Sequence, residues 1–388
     1  MILKRVYSIF LLLVLVGGCF PQEYTYNKAV LRDEGEVVVY LQPLPQEAAK
    51  LRFIMDGIFA VQDDGRTIPL SLSFNQLNGS ELLGRQKLLA TGILPPGAYT
   101  GLSIKIDKAF VQSEEGEVAL LVPEEPVVAA KLFQVNRRQA LTLFLTVNAS
   151  GIISRAVSFT PDFSLATPGG TLVNLKGYVS NSAANLISVF NKKTMEVVNV
   201  IATGRGPRGI VLDQNRARAY VAVSGDDTVE IYDVFNGKVI GRVKLTFGDN
   251  PMELALTPDG RTLVSVNHSS NTVSIIDAIS RIELRRIRVG EKPTSAVVDP
   301  SGFRAYIMNS RSNTVSVVDL TQRTLTATIA VEGSPIRGAF NRVGDRLYVV
   351  SSNSPNLSAI DPKRLTVTAK IFIGTGGLSI RVSRLNNL

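Results

Sequence analysis

Short stretches in which apolar and polar residues alternate recur along the chain after residue 20. The segment from Leu102 to Ile106 and the segment from Ala140 to Val147 both follow this pattern. Alternation with a period of two buries one face of a strand and leaves the other face in water. Turn-forming residues separate these stretches, and no long stretch has helical periodicity. The pattern therefore predicts an all-β protein.

The first part of the mature chain, residues 20–165, is predicted to form a β-sandwich, because regular short strands alternate there with turns. Its strands include Glu36 to Leu41 and Lys50 to Val61. The pattern Pro95-Pro96-Gly97-Ala98-Tyr99 before a strand resembles an uncharacterised family of sandwich domains at the start of bacterial lipoproteins. The resemblance covers roughly residues 34–165 and implies a fold without an activity.

Residues 1–19 have the pattern of a bacterial lipoprotein signal. Lys4 and Arg5 precede an apolar run, residues 9–16, that is too short to cross a bilayer as a helix. The segment Val16-Gly17-Gly18-Cys19 resembles the lipobox, and Cys19 is the single cysteine of the chain. Lipidation of Cys19 would anchor the protein to a membrane. Since Phe20 rather than an Asp follows, sorting by analogy favours the outer membrane, on either its periplasmic or its external side.

The charge of the chain changes near residue 165. Residues 20–165 hold 13 basic and 16 acidic residues, whereas residues 166–388 hold 27 basic and 17 acidic residues. The first part is therefore slightly acidic, and the second has a balance of +10. Residues 166–177, which include the turn-rich stretch from Ala166 to Gly170, are predicted to be a linker.

The second part, residues 178–388, consists of repeated units. Three independent markers recur at steps of 42 and 44 residues, and all three place two extra residues in the same unit. The markers are a polar residue at the end of the third strand (Asn191, Asp233, Asp277, Asp319, Asp361), an opening residue (Pro207, Pro251, Pro293, Pro335, Gly377) and a second-strand residue (Tyr178, Tyr220, Val264, Tyr306, Tyr348). We interpret the repeated Asp as a turn cap that accepts backbone N–H bonds.

Each unit contains four predicted strands, and a repeat of 40–45 residues with four strands is typical of a β-propeller blade. Tyr178-Val179-Ser180-Asn181 resembles the repeat of the YVTN propeller family, as do the stretches 271–277 and 313–319. The resemblance implies a propeller fold and leaves function open. Asp227 and Pro355 depart from the pattern, since Asn271 and Asn313 hold the corresponding positions.

The count of strands predicts five blades. The chain enters the array at Tyr178, in a second strand, and residues Leu378 to Val382 match a first strand. We therefore expect the final strand to complete the first blade, which would leave no exposed sheet edge. In the alternative arrangement, Thr171 to Leu175 supply the missing strand and the tail begins a further blade or lies free.

The composition excludes several classes of enzyme. One Cys rules out an intramolecular disulfide and a Cys-based metal cluster, and one His rules out a multi-His metal centre. His268 lies in a spacer between strands without a repeated partner, so catalysis by it is not expected. Asp226 and Asp227 are weak candidates for a Ca²⁺ site. We expect no catalytic residue, no resident metal and no cofactor.

Two surfaces of the repeats are candidates for binding. The mouth of the central channel would bring together one position from each unit, where Arg side chains could bind a small anion. These positions, counted two past each opening residue together with the neighbouring Arg208, are Arg208, Glu253, Ser295, Arg337 and Ser379. The competing interpretation is a water-filled channel without a ligand.

The turns at the opposite end of the strands are rich in basic residues, and only a few acids, such as Asp259 and Asp345, are expected among them. A field of one sign attracts polyanions, and ordinary solubilising turn residues are the alternative interpretation. We call this surface the basic face. Its residues are Lys192, Lys193, Arg216, Arg218, Lys238, Arg261, Arg281, Arg304, Arg323, Arg342, Arg346, Lys363 and Arg364.

The sequence thus predicts a lipid-anchored protein of the bacterial cell envelope that binds a partner without catalysis. The expected partners are the membrane, through the anchor, and an envelope protein or an anionic polysaccharide. Nucleic acid is not expected, because of the export signal and the lack of an aromatic stacking stripe. The alternatives are an extracytoplasmic propeller enzyme, resembling a lactonase or a cofactor-dependent dehydrogenase, and a structural surface or adhesion component.

Overall fold

A computed structural model describes residues 31–114, 116–148, 152–154, 157–168 and 176–382. The predicted signal segment, Cys19 and the alternative strand at residues 171–175 lie outside these described residues. The protein is all-β, as predicted. Its helices within the described residues are single turns at Gln46–Ala48, Gly79–Leu82 (α1) and Ser224–Asp226. No helix among the described residues has the length and apolar character needed to span a membrane.

The N-terminal unit contains twelve of the described strands. They are β1 (Gly35–Leu41), β2 (Leu51–Gln62), β3 (Thr67–Leu72), β4 (Gln76–Asn78), β5 (Lys87–Leu94), β6 (Gly97–Ser113), β7 (Gly116–Leu120), β8 (Val127–Val135), β9 (Ala140–Asn148), β10 (Ile153–Ser154), β11 (Ser158–Phe159) and β12 (Asp162–Ala166).

Eight of these strands follow one hydrogen-bonded path and two more pair with it, which gives a ten-stranded sheet that curls around a single core. The order is β12-β9-β1-β5-β3-β2-β6-β7, with β4 paired to β2 and β8 paired to β6. Strand β3 joins two halves of the path, because Thr67 to Leu70 pair with β2 whereas Ser71 and Leu72 pair with β5. The core takes side chains from both halves, among them Val39 from β1 and Phe53 from β2. Phe53 lies against Phe159, with 5.2 Å between ring centroids.

The repeat region forms five small antiparallel sheets in chain order. Sheet 1 consists of β13 (Lys176–Asn181), β14 (Leu186–Asn191) and β15 (Val197–Ala202). Sheet 2 consists of β16 (Pro207–Asp213), β17 (Arg218–Val223), β18 (Thr228–Asp233) and β19 (Val239–Lys244), and sheet 3 of β20 (Pro251–Leu256), β21 (Thr262–Asn267), β22 (Thr272–Asp277) and β23 (Ile282–Arg288). Sheet 4 consists of β24 (Pro293–Val298), β25 (Arg304–Asn309), β26 (Thr314–Asp319) and β27 (Thr324–Ala330), and sheet 5 of β28 (Pro335–Phe340), β29 (Leu347–Ser351), β30 (Asn356–Asp361) and β31 (Thr366–Phe372).

Each pair of consecutive sheets shares an apolar core. Tyr220 and Ile276 belong to the core between sheets 2 and 3, and Val266 and Ile307 to the next. Similar clusters join sheet 1 to sheet 2 and sheet 4 to sheet 5. Among the described residues, no such cluster joins sheet 5 directly to sheet 1. Each sheet has two apolar faces, so stacking covers what one sheet alone leaves in water.

The repeated polar residue at the end of the third strand caps the following turn, as predicted. In sheet 3, Oδ1 of Asp277 accepts hydrogen bonds from the backbone N–H groups of Ile279 and Ser280, both at 2.8 Å. The same pair of bonds recurs in the other sheets at Asn191, Asp233, Asp319 and Asp361. The periodic Asp is therefore a structural residue of the turn.

The repeated Tyr of the second strand reaches the next sheet. Its hydroxyl donates a 3.4 Å hydrogen bond to the carbonyl that follows the next turn-capping residue. The pairs are Tyr178 to Val234, Tyr220 to Ala278 and Tyr306 to Pro362. Val264 holds this position in sheet 3 and lacks a hydroxyl. The marker read from the sequence thus records a contact between neighbouring sheets.

A second repeated residue ties each sheet to the loop that leads into the next. Asn271 has a left-handed φ of 57°, and its Oδ1 accepts a 2.8 Å bond from the N–H of Lys292. Asn185 and Asn313 form equivalent bonds. In sheet 2, Asp227 binds both Gly248 and Asn250, at 2.8 and 2.7 Å. Asp therefore replaces Asn in the one sheet whose following loop has two extra residues. The carboxylate of Asp227 accepts hydrogen bonds from both N–H groups of that loop.

The N-terminal unit covers the side of sheet 1 that faces away from sheet 2. Val38 and Tyr40 of β1 pack on Leu186 and Val200. The side-chain amide of Gln86 accepts from the N–H of Val197 and donates to its carbonyl, at 2.8 and 3.1 Å. These contacts satisfy part of the free edge of β15, which is an outermost strand.

Candidate functional site

The principal candidate site is a cavity of about 740 Å³ on the inner edge of the repeat sheets. The first strands β16, β20, β24 and β28 border it in order, and β13 borders it because sheet 1 has no first strand among the described residues. All five side chains selected from the sequence line this one cavity. They are Arg208, Glu253, Ser295, Arg337 and Ser379.

Within the cavity, charges of opposite sign are paired. The guanidinium of Arg337 in sheet 5 donates to the carboxylate of Glu253 in sheet 3, so this ion pair reaches past the intervening sheet 4. Glu253 is mostly buried, with 15% of its side chain exposed, and Arg337 is 48% exposed. The sequence predicts that both residues bind a ligand, but in the structure they form an ion pair with each other. An incoming anion therefore has to compete with Glu253 for Arg337.

The polar groups around this pair are held by bonds between sheets. The hydroxyl of Ser295 donates to the carbonyl of Ile336 at 2.7 Å. The hydroxyl of Ser180 donates to the carbonyl of Arg208 at 2.6 Å. Arg208, Arg337 and Arg381 are the cations of the lining, and Glu253 is the acid among the lining residues described. The cavity thus has an excess of positive charge and an ordered wall.

The C-terminal segment enters this cavity without forming the expected strand. Ser379, Ile380 and Arg381 line it beside Tyr178 to Ser180. Residues 373–382 nevertheless contain no strand, and sheet 1 remains three-stranded among the described residues. The tail thus reaches the cavity that sheet 1 also borders, but among the described residues it does not form the predicted fourth strand of sheet 1. Gly374 and Gly376, at φ 86° and 82°, break the extended run just before it.

His268 lies at a seam between sheets. Its Nδ1 is 2.9 Å from the carbonyl of Pro293 in sheet 4. Burial lowers the pKa of His268, and the nearby charges of Lys292 and Arg208 lower it further. Ser224 makes the matching contact one unit earlier, to the carbonyl of Pro251. The imidazole of His268 thus repeats the contact that a serine makes in the preceding sheet.

Asp226 and Asp227, the weak metal candidates, are engaged as hydrogen-bond acceptors. Asp226 accepts from the backbone N–H and the Nε of Arg205, both at 2.7 Å. Asp227 binds the two loop N–H groups described above. The described part of the chain contains no cluster of three or more His, Cys, Asp or Glu residues arranged to hold a metal ion.

The basic face divides into two sets of residues. Half-buried members bind neighbouring sheets: Arg216 donates to the carbonyls of Asp259 and Gly260, and Arg304 donates to Pro362. Arg281 donates to the carbonyl of Ile240, and Arg218 and Arg346 are also half-buried. The exposed members are Lys192, Lys193, Lys238, Arg261, Arg323, Arg342, Lys363 and Arg364.

The same end of the sheets carries more acidic residues than the sequence analysis counted. The capping aspartates lie there, together with the aspartates of the turns that join first and second strands. These acids are Asp213, Asp233, Asp259, Asp277, Asp299, Asp319, Asp345 and Asp361. Several of them direct an oxygen at backbone N–H groups, but their charge reduces the field of the basic face.

One cluster escaped the sequence analysis. Glu230 is buried in sheet 2, where it accepts from Nε of Arg242 at 2.8 Å, from the Tyr232 hydroxyl and from the N–H of Gly204. Burial and the charge of Glu230 raise the pKa of Tyr232. The sequence contains a signal for this cluster, because Glu230 stands where the other four sheets have a serine. These serines are Ser188, Ser274, Ser316 and Ser358.

Comparison with known proteins assigns no family to this chain. No protein-family model matches it, and no curated protein matches it. Among solved structures, a match is found to hydrazine synthase of Kuenenia stuttgartiensis, with 24% sequence identity and a TM-score of 0.41. The match covers 43% of this chain and 49% of that chain. The chain thus spans about half the length of the solved structure it matches.

Proposed function

We propose that this protein is a lipid-anchored binding protein of the bacterial cell envelope and that its repeat region is a YVTN-type propeller whose inner cavity receives an anionic group. One observation carries the binding role: a side chain from each of the five repeats reaches the same cavity. Repeats that deliver equivalent positions to one point form a site that no single repeat provides.

Five sheets are the blades in this proposal. The shared cores between consecutive sheets and the shared inner cavity support it. The C-terminal segment lines the same cavity as β13, and the N-terminal unit covers the side of sheet 1 that faces away from sheet 2. The two halves of the N-terminal strand path, joined by β3, are the layers of the predicted β-sandwich, because both contribute to one core.

The chemistry of the cavity favours a carboxylate or phosphate group. Arg208 and Arg381 add to Arg337, whereas Glu253 offsets one of these charges. Guanidinium groups bind such anions through paired hydrogen bonds. In an envelope setting, an acidic polysaccharide or an acidic segment of a partner protein supplies this chemistry.

Titration with an acidic oligosaccharide tests the cavity. We expect trigalacturonate to bind the native protein and to bind an Arg208→Ala/Arg337→Ala variant at least tenfold more weakly, since each lost charged hydrogen bond costs about 1.5–3 kcal/mol. An Arg342→Ala/Lys363→Ala variant removes the same charge from the basic face and is expected to bind normally. Full binding by the cavity variant would refute this site.

The exposed residues of the basic face support a second candidate, the binding of an extended anionic polymer. Arg261 lies in a turn of sheet 3, and Arg342 and Lys363 lie in two turns at the same end of sheet 5. An electrostatic interaction of this kind weakens with added salt. Binding of polygalacturonate that is lost in the Arg342→Ala/Lys363→Ala variant but retained in the cavity variant would assign the function to this face.

The lipid anchor is tested separately through Cys19. A Cys19→Ala variant cannot take up a lipid, so we expect it to leave the membrane fraction, whereas the native protein remains there. Fractionation of cells that express the two forms measures this difference. Membrane retention of Cys19→Ala would show that the anchor is not at this residue.

A further inference from the structure

A second cavity, of about 280 Å³, lies where the N-terminal unit meets sheets 1 and 2. We call it the junction cleft. Three segments form its walls: the loop before β9, part of β15, and the turn and strand that follow β18. The lining residues that the following paragraphs use are Arg137, Arg138, Asn199, Asn236, Lys238 and Arg242.

The lining of the junction cleft carries positive charge. Arg137 and Arg138 come from the N-terminal unit, whereas Lys238 and Arg242 come from sheet 2. No acidic residue is among the residues described as lining it. Asn199 and Asn236 add amide groups that can donate hydrogen bonds. Glu230 compensates one of these four charges through its ion pair with Arg242, and the remaining excess of positive charge favours a bound anion.

Two of these cations are positioned by other parts of the protein. Nε of Arg138 donates to the carbonyl of Arg32 at 2.6 Å. Nε of Arg242 donates to Glu230, the acid that replaces the serine of the other repeats. Glu230 is buried, with 3% exposure, and does not line the cleft. It therefore binds Arg242 on the side of the guanidinium that faces the interior of sheet 2. Arg137 and Lys238 are exposed and complete the lining from opposite sides.

The walls of the cleft are also held at a fixed separation. Gly237 has φ 68°, and a Cβ at this position would lie 3.0 Å from Ile201 of β15, so the turn packs closely on sheet 1. On the other side, the hydroxyl of Thr142 in β9 accepts from the N–H of Val200 at 2.9 Å. A cleft whose walls are already in place loses little entropy when a ligand binds.

We propose that the junction cleft is a binding site for a compact ligand that carries two or more phosphate or carboxylate charges. Its volume lies near the lower end of the range for small-molecule sites, about 300–1,000 Å³. One charge faces Arg137 and Arg138, and the other faces Lys238 and Arg242. The ligand therefore bridges the two structural units, and it occupies a site separate from the inner cavity.

Calorimetric titration of the full chain with pyrophosphate, and in parallel with citrate, tests the site and distinguishes a phosphate from a carboxylate ligand. We expect at least one of them to bind and to bind more weakly at high salt. The variants Arg137→Gln and Lys238→Gln should each weaken binding about tenfold, because each removes one charged hydrogen bond. The variant Arg208→Gln/Arg337→Gln, altered only in the inner cavity, should lose any binding there and keep the binding in the junction cleft.

Hydrogen exchange locates the bound ligand. We expect added pyrophosphate or citrate to slow exchange both in residues 137–140 and in residues 236–242, since the ligand touches both walls. Binding that survives both Arg137→Gln and Lys238→Gln when each is combined with Arg208→Gln/Arg337→Gln, or protection confined to one wall, would overturn the bridging site. Absence of binding by both probes at low salt would overturn it as well. Loss of binding only in the Arg208→Gln/Arg337→Gln variant would assign these anions to the inner cavity.

Discussion

The two regions of the molecule use the same kind of strand in opposite ways. The N-terminal unit joins ten strands in one sheet and buries their apolar side chains in a single core. The repeat region divides its strands among five sheets and places its cores between them. Stability is therefore concentrated in one place in the first region and distributed over seams in the second. A large core tolerates little change at its centre, whereas a seam depends on small polar contacts that recur.

The largest expected effect comes from the concentrated core. Phe53 is 1% exposed and packs on Phe159, so Phe53→Ala should lower the free energy of unfolding of the N-terminal unit by about 3–5 kcal/mol. Urea denaturation followed by circular dichroism measures this loss. The control Leu132→Ala, at a residue 77% exposed, should change it by less than about 0.5 kcal/mol. Equal effects of the two substitutions would contradict the single-core interpretation.

A smaller loss is expected at one turn of the repeats. Asp277→Ala removes the acceptor of two backbone N–H groups and should cost about 1–2 kcal/mol. Asp277→Asn is the matched control, because Asn191 makes the same contacts in sheet 1. We expect it to restore most of the stability in the same urea experiment. If Asn proved as harmful as Ala, the charge rather than the hydrogen bonds would hold the turn.

The seam at His268 should make the repeat region sensitive to pH. Since the pKa of His268 in the folded state lies below the ordinary value of 6.5, the unfolded chain binds a proton at this residue at a higher pH than the folded chain does. Stability is therefore complete above about pH 6.5 and falls as the pH drops below that value. Melting temperatures between pH 7 and pH 5 measure this slope, and His268→Asn should flatten it. As His268 is the only histidine of the chain, an unchanged slope in the variant would remove the assignment.

The smallest expected effect is a gain in stability. Met195 has φ 60° at the turn position where Gly237 stands in sheet 2, and its side chain is exposed. Met195→Gly relieves a left-handed conformation and should stabilise sheet 1 by about 0.5–1 kcal/mol after the entropy cost of glycine. Hydrogen exchange in β14 and β15 should slow. Faster exchange there would mean that the side chain of Met195 contributes contacts.

Periodic features were predictable from the sequence because each one repeats a physical contact. The capping Asp, the Tyr of the second strand and the inner position that lines the cavity recur at a fixed spacing, and five copies reinforce each reading. The convergence of Arg208, Glu253 and Ser295 on one cavity follows from this period.

Features that occur once were harder to predict. The ion pair between Arg337 and Glu253 depends on the curvature of the stack, which the spacing of residues does not report. The tail matched a first strand in its pattern, yet Gly374 and Gly376 take up left-handed conformations before it. Glu230 was visible as an exception in a column of serines, but its partner Arg242 and the adjoining cleft required the arrangement of both units.

The contact between the N-terminal unit and sheet 1 limits the places at which repeats can be added to the array of sheets during evolution. One side of sheet 1 is occupied by β1, β9 and the amide of Gln86, so an added repeat has no surface there on which to stack. Among the described residues no apolar cluster joins the far face of sheet 5 to another sheet, so gene duplication can lengthen the array internally or after Phe372. Related chains with different numbers of repeats should therefore share their first sheet and its neighbour and differ towards the C-terminus.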